Sequence, residues 1–357
     1  MWLAFLVMAL LGADAVHGQA GRPAPGVAAR PAWEALNAGR MREAAAAFDE
    51  LLRQFPTDPQ VLLGAGLAAH QLGDRDAARR HLVEALRQDP SLTPASLLLG
   101  DVLYATGDLA SAISTYEAAL VHAAEHKLLQ TRLDAWRKEL ALHDRFARKL
   151  GDHFTVLFEG PAEEELARTA VQTLEAAYWR IGAALNTYPA EVLTVVLYTR
   201  EQFRDITQSP DWAGGAFDGR IRVPVQGAMA NLREFERVLA HEFVHALVRT
   251  LVPRGAPQWL NEGLAMNFDG TDVAALAARL QQVDRQPDLR RLEGSFAGLD
   301  RADASLAYTK SAVAVKGLLE DAGAIAVMAI LADVGRGVPF PAAFERHTSR
   351  SYAEFVR

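Results

Sequence analysis

The chain contains no cysteine among its 357 residues. Disulfides are therefore excluded, and so are thiolate metal sites; any metal must be held by histidine and carboxylate. Positive charge is in short supply too. Lys and Arg number 37 against 44 Asp and Glu, a formal net charge of −7, which argues against nucleic acid or an anionic membrane as the main partner. No stretch after the N-terminal segment is long and apolar enough for a transmembrane helix. Disorder is excluded by the 50% of residues that are hydrophobic, and the length suffices for two or three domains.

The N-terminus carries an apolar run, WLAFLVMALL at 2–11, too short to span a bilayer with ease. Small residues follow at 13–15 (ADA) and 18–20 (GQA), where a signal peptidase would read them. This pattern predicts a signal peptide over 1–20 and an exported, periplasmic or secreted chain. The segment ahead of the apolar run has no Lys or Arg, so an uncleaved N-terminal anchor and a buried helix are the alternatives. Residues 21–31 (GRPAPGVAARP) read as a flexible linker.

A period of 34 residues comes next. It relates Gly39, Gly73 and Gly107; Ala44, Ala78 and Ala112; Phe48, Leu82 and Tyr116; Pro56 and Pro90; and Gly66 and Gly100. A small residue where helices cross, a turn glycine, a large apolar residue and a closing proline resemble the tetratricopeptide repeat over roughly 31–126. Residues 127–150 have apolar positions at helical spacing and are expected to form one long capping helix, completing a repeat domain over 32–150. Such repeats serve either as a spacer or as a groove for a partner peptide or protein.

Composition shifts at Gly151, where a second domain, 151–357, is expected to begin. Its first half reads as a strand at 153–159 (HFTVLFE), an amphipathic helix at 163–185, a buried strand at 191–198 (EVLTVVLY) and a short helix at 201–206. A turn at Asp218-Gly219 leads into a strand over 220–225, where Pro224 points to a sheet edge. Helices are expected after that, with candidates at 274–283 and 300–320.

The chemistry lies in HEFVHALV, residues 241–248. His241 and His245 stand at i and i+4, one above the other on a helix, where two imidazoles can hold one metal ion. Glu242 follows the first histidine and projects beside that ion, where it can take a proton from a bound water. This is the HExxH arrangement of zinc hydrolases. Sixteen residues after His245 comes NEGLA, preceded by PQWL. A catalytic zinc needs three protein ligands and one open position, and Glu262 is the natural third, on a helix starting near Pro257.

These two stretches resemble the gluzincin metallopeptidases, in particular the peptidase MA-like family. The resemblance implies an α+β domain with a small sheet and a mostly helical C-terminal half, one Zn2+, and peptide-bond hydrolysis with Glu242 as general base. It implies that an extended substrate adds to an edge strand beside the metal, which would be 220–225, with Arg220, Ile221 and Val223 as substrate contacts; alternatively that strand only completes the sheet. It also implies a downstream oxyanion donor. Tyr308 is the candidate, or else it packs behind the HExxH helix. Asn261, beside the third ligand, would orient the loop or a substrate group. One departure is plain: Met266 stands four residues after Glu262, where a thermolysin-like pattern has aspartate, so the histidines' outer partners must be built differently. The expected architecture is an α-solenoid followed by an α+β metallopeptidase-like domain. The other readings are a non-catalytic repeat scaffold with a vestigial or structural metal site, and a zinc amidohydrolase acting on a non-peptide amide.

Overall fold

The computed structural model describes residues 24–210, 213–284 and 286–357. The leader expected over 1–20 lies outside the described residues. The chain forms two compact units that divide between Leu140 and Ala141. Among the described residues, no helix is long and apolar enough to cross a membrane.

The first unit is all helical: α1 (Pro25–Asn37), α2 (Met41–Gln54), α3 (Pro59–Gln71), α4 (Arg75–Gln88), α5 (Thr93–Ala105), α6 (Leu109–His122) and α7 (Lys127–His143). The repeat period appears in its geometry. Gly39, Gly73 and Gly107 turn between paired helices with φ of 76°, 83° and 87°, a region that favours glycine. Asp74 and Asp108 cap α4 and α6 equivalently, accepting from Ala77 N at 2.9 Å and Ser111 N at 3.1 Å. Leu82 and Tyr116 lie over Gly66 and Gly100, where a Cβ would have no room. The helix α7 closes the stack: Trp136 stacks on the Tyr104 ring at 5.0 Å, and Tyr104 Oη donates to Glu139 at 2.7 Å.

Two sequence expectations are corrected here. The linker expected over 21–31 is helical from Pro25 onward, because Ala29, Ala32, Ala35 and Leu36 form one buried face. That face outweighs the break Pro31 would otherwise introduce. The capping helix expected to reach residue 150 ends at His143, and Ala147–Leu150 form a strand of the second unit instead.

The second unit holds β1 (Ala147–Leu150), β2 (Phe154–Phe158), α8 (Glu164–Leu185), β3 (Leu193–Tyr198), α9 (Arg200–Thr207), β4 (Ala216–Phe217) and β5 (Ile221–Pro224). Then come α10 (Leu232–Leu251), α11 (Gln258–Phe268), α12 (Val273–Leu280), α13 (Arg301–Gly335), α14 (Phe340–Thr348) and α15 (Tyr352–Phe355). The sheet order is β1-β2-β3-β5-β4. The inner pairs are parallel and the outer pairs antiparallel. Phe154, Val156, Val195, Leu197, Ile221 and Val223 face a core shared with α8 and α10. On the other face Val196 and Tyr198 meet Leu142, Phe146 and Phe203.

The edge-strand expectation is also corrected. Strand β5 is interior, between β3 and β4, and the edge is the two-residue β4. The Asp218-Gly219 turn folds β4 back over β5, with Ala216 opposite Arg222 and Phe217 opposite Ile221. Pro224 lies beyond that pairing, so its missing N–H costs no ladder bond on that side. Arg220, Ile221 and Val223 are buried in this interior position. Arg222 between them is fully buried and donates to Tyr198 Oη at 2.7 Å and Asp218 Oδ2 at 2.9 Å.

Candidate metal centre

Helix α10 starts at an Asn231 cap, whose side chain accepts from Glu234 N at 3.2 Å. One face of the helix packs Phe243, Val244 and Leu247 into the core. The opposite side carries His241 and His245, their rings edge to face at 4.9 Å. Helix α11 supplies Glu262. Its Trp259 is fully buried and donates to Tyr352 Oη on α15 at 3.3 Å. Gly263 faces Ser311 and Val315 of α13 so closely that a Cβ would collide with the Ser311 carbonyl. These contacts seat α11 with Glu262 toward α10.

The three residues converge. His241 Nε2 lies 3.2 Å and His245 Nε2 3.4 Å from Glu262 Oε2. One donor atom from each falls within 4.8 Å of the others. The remaining ring nitrogens are taken: His241 Nδ1 by Asp269 Oδ2 at 3.0 Å, His245 Nδ1 by Asn261 Oδ1 at 3.1 Å. With Nδ1–H donating to those oxygens, both Nε2 lone pairs point at the same spot. Gln258 Nε2 donates to Glu262 Oε1 at 2.7 Å and leaves Oε2 to the histidines. Asp269 is itself held by Arg237 Nη1 at 2.7 Å and Thr271 N at 2.7 Å.

The electrostatics call for a cation. Burial works against a charged His241, but Asp269 and Glu262 outweigh it and push its pKa up to about 10. His245 is raised as well, by Glu262 against the same burial. Glu262 is buried, yet the two histidines hold its carboxyl well below the usual range. Two nitrogens and a carboxylate oxygen, each oriented by an outer partner, suit a divalent ion of the zinc type. The arrangement therefore fits a metal.

Glu242 stands apart from this web. Its Oε2 is buried and has no hydrogen-bond partner among the described residues. Burial raises its pKa, the histidines only partly offsetting this. Gly215, just before β4, lies so near that an added Cβ would sit 2.6 Å from Glu242 Oε1. A cleft opens here in two lobes, of about 510 and about 320 Å³, both bordered by Gly215, His241, Glu242 and Tyr308. The smaller lobe also reaches Ala216, Phe217, His245 and Glu262.

Of the residues singled out by sequence, His241, Glu242, His245, Glu262, Asn261 and Tyr308 are brought together, while Arg220, Ile221 and Val223 are not. Sequence reasoning missed Arg237, Gln258 and Asp269. For two of them the signal was helical spacing, Arg237 four before His241 and Gln258 four before Glu262, whereas Asp269 lies past the end of α11 and no spacing marked it.

Comparison with known proteins informs the first unit. The family model described as tetratricopeptide repeat matches residues 32–92 and 71–126. A TPR repeat-containing protein of Pseudomonas aeruginosa is 38% identical over 78 residues, which are 22% of this chain and 74% of that protein. By its helical repeats the chain belongs to the tetratricopeptide-repeat family. The family match ends at residue 126, well before the His/His/Glu cluster.

Proposed function

We propose that this chain is a zinc-dependent metallopeptidase in which His241, His245 and Glu262 hold the ion and Glu242 is the general base. The observation that carries the reading is the buried Oε2 of Glu242, without a partner among the described residues, at the cleft beside the cluster. An unpaired buried carboxylate oxygen destabilises a fold, and a metal site serving only as a staple has no use for one. Bound at such a donor set, zinc supplies a Lewis acid and a water whose pKa falls toward neutrality.

The chain's own residues do the rest. Asp269 and Asn261 fix the tautomers of the two histidines. Glu242 takes the proton of the attacking water and delivers it to the leaving amine. Tyr308 borders the same cleft and donates to the developing oxyanion. The short edge strand β4, not β5, is the one an extended peptide adds to. The repeats hold the substrate or a partner protein, and the leader-like segment 1–20 makes the space outside the cytoplasm the place of work.

A Glu242→Gln variant and a peptide library test this reading. The wild-type protein is expected to cleave peptides, and the variant to keep its zinc while losing about a hundredfold or more in kcat. A zinc-loaded wild-type protein that cuts no peptide would move the reading to a non-peptide amide or a structural site.

A further inference from the structure

The larger cleft lobe has an uneven charge. Three guanidinium groups border it, those of Arg200, Arg237 and Arg301, against the single carboxylate of Glu242 among the described residues. Two of the three are engaged. Arg237 donates to Asp269 at 2.7 Å and to Glu234 at 2.9 Å. Arg200 donates to the Ala213 carbonyl at 3.0 Å. Arg301 is exposed and has no partner among the described residues. It opens α13, and the same helix face brings Ser305 and Tyr308 to the lobe one and two turns later. The neighbouring Asp300 is occupied in capping, accepting from Asp303 N at 2.9 Å.

From this placement we infer that Arg301 selects substrates carrying a carboxylate near the bond to be cut, with the Ser305 hydroxyl as a second donor. The inference rests on the peptidase reading for the identity of the substrate, and it names the class: acidic peptides. A free guanidinium offers a fork of donors matched to a carboxylate. The exposed Arg301 guanidinium lowers the cost of bringing an anion to the lobe. The carboxylate can come from a Glu or Asp side chain or from a peptide C-terminus, since both present the same two oxygens.

The test is equilibrium binding to the full-length, zinc-loaded chain carrying Glu242→Gln, so that no peptide is consumed. The probes are fluorescent peptides in one Ala/Gly frame, with Glu, Gln or Lys placed at each position in turn and the C-terminus free or amidated. At least one acidic or free-ended peptide is expected to bind about fivefold more tightly than its neutral twin. The gap is expected to close when Arg301→Gln is added, to return in part with Arg301→Lys, and to narrow as salt rises. A response to internal Glu assigns the carboxylate to a side chain, and a response only to the free end assigns it to the C-terminus. Equal binding of acidic and neutral peptides, or a preference that Arg301→Gln leaves in place, overturns the inference. Wild-type turnover separates the two claims. An Arg301-dependent acid preference without cleavage defeats the peptidase reading alone, and cleavage without that preference defeats this one alone.

Discussion

At the scale of single residues the centre is a set of paired dependencies. Each histidine has one nitrogen turned to Glu262 and the other fixed from outside. Removing an outer partner should loosen the metal while leaving its ligands in place. Asp269→Ala is expected to weaken zinc binding about 10- to 100-fold, read by competition with a chelator of known affinity, and Asp269→Asn by less. Gly215→Ala should act on the base alone: its Cβ displaces the Glu242 carboxylate, so kcat falls while zinc content stays at the wild-type level. Equal loss of metal and activity in that variant would show that Gly215 supports the fold and not the base. The clustering of His241 and His245 was legible in the sequence because helical spacing fixes which side chains share a face. Asp269 was not, because it lies beyond the end of α11. Only the approach of α10 to α11 makes it a partner of His241.

At the scale of elements, the seating of α11 decides where Glu262 points. Gly263 lets α13 come close enough for Asn267 Nδ2 to donate to the Ala312 carbonyl at 2.9 Å. Gly263→Ala should force the two helices apart and destabilise the unit by about 1–3 kcal/mol, seen as a lower Tm, with weaker zinc binding because the third ligand moves. Two of the misread elements show what sequence periodicity leaves open. Leu142, Phe146 and Leu150 are four apart and read as one helix face. The chain instead breaks after His143 and lays Ala147–Leu150 against β2, because the outer side of β2 needs a partner. Likewise Pro224 suggested an edge, and a two-residue strand folded back by a turn is too short to leave a pattern.

At the scale of the whole molecule, the chain carries two units with different sequence signatures. The repeat unit was the most legible part, since a period of 34 residues fixes the turn glycines and the residues packed over Gly66 and Gly100. The second unit showed its His/His/Glu cluster through two short motifs but not its sheet order, which depends on pairings distant in sequence. This division has a measurable consequence. Zinc that binds the folded cluster stabilises what surrounds it, by about 2.7 kcal/mol at a hundred times its Kd. Amide exchange should slow in α10 and α11 on adding zinc and stay the same in α2 to α5. Protection gained in the repeats alone would place the ion elsewhere.

The central claim is that His241, His245 and Glu262 hold one catalytic ion, and elemental analysis of the purified full-length protein tests it most directly. About one zinc per chain is expected, lost or much reduced in both His241→Ala and Glu262→Ala. A wild-type protein that binds no metal and shows no rise in Tm when zinc is added would contradict the claim.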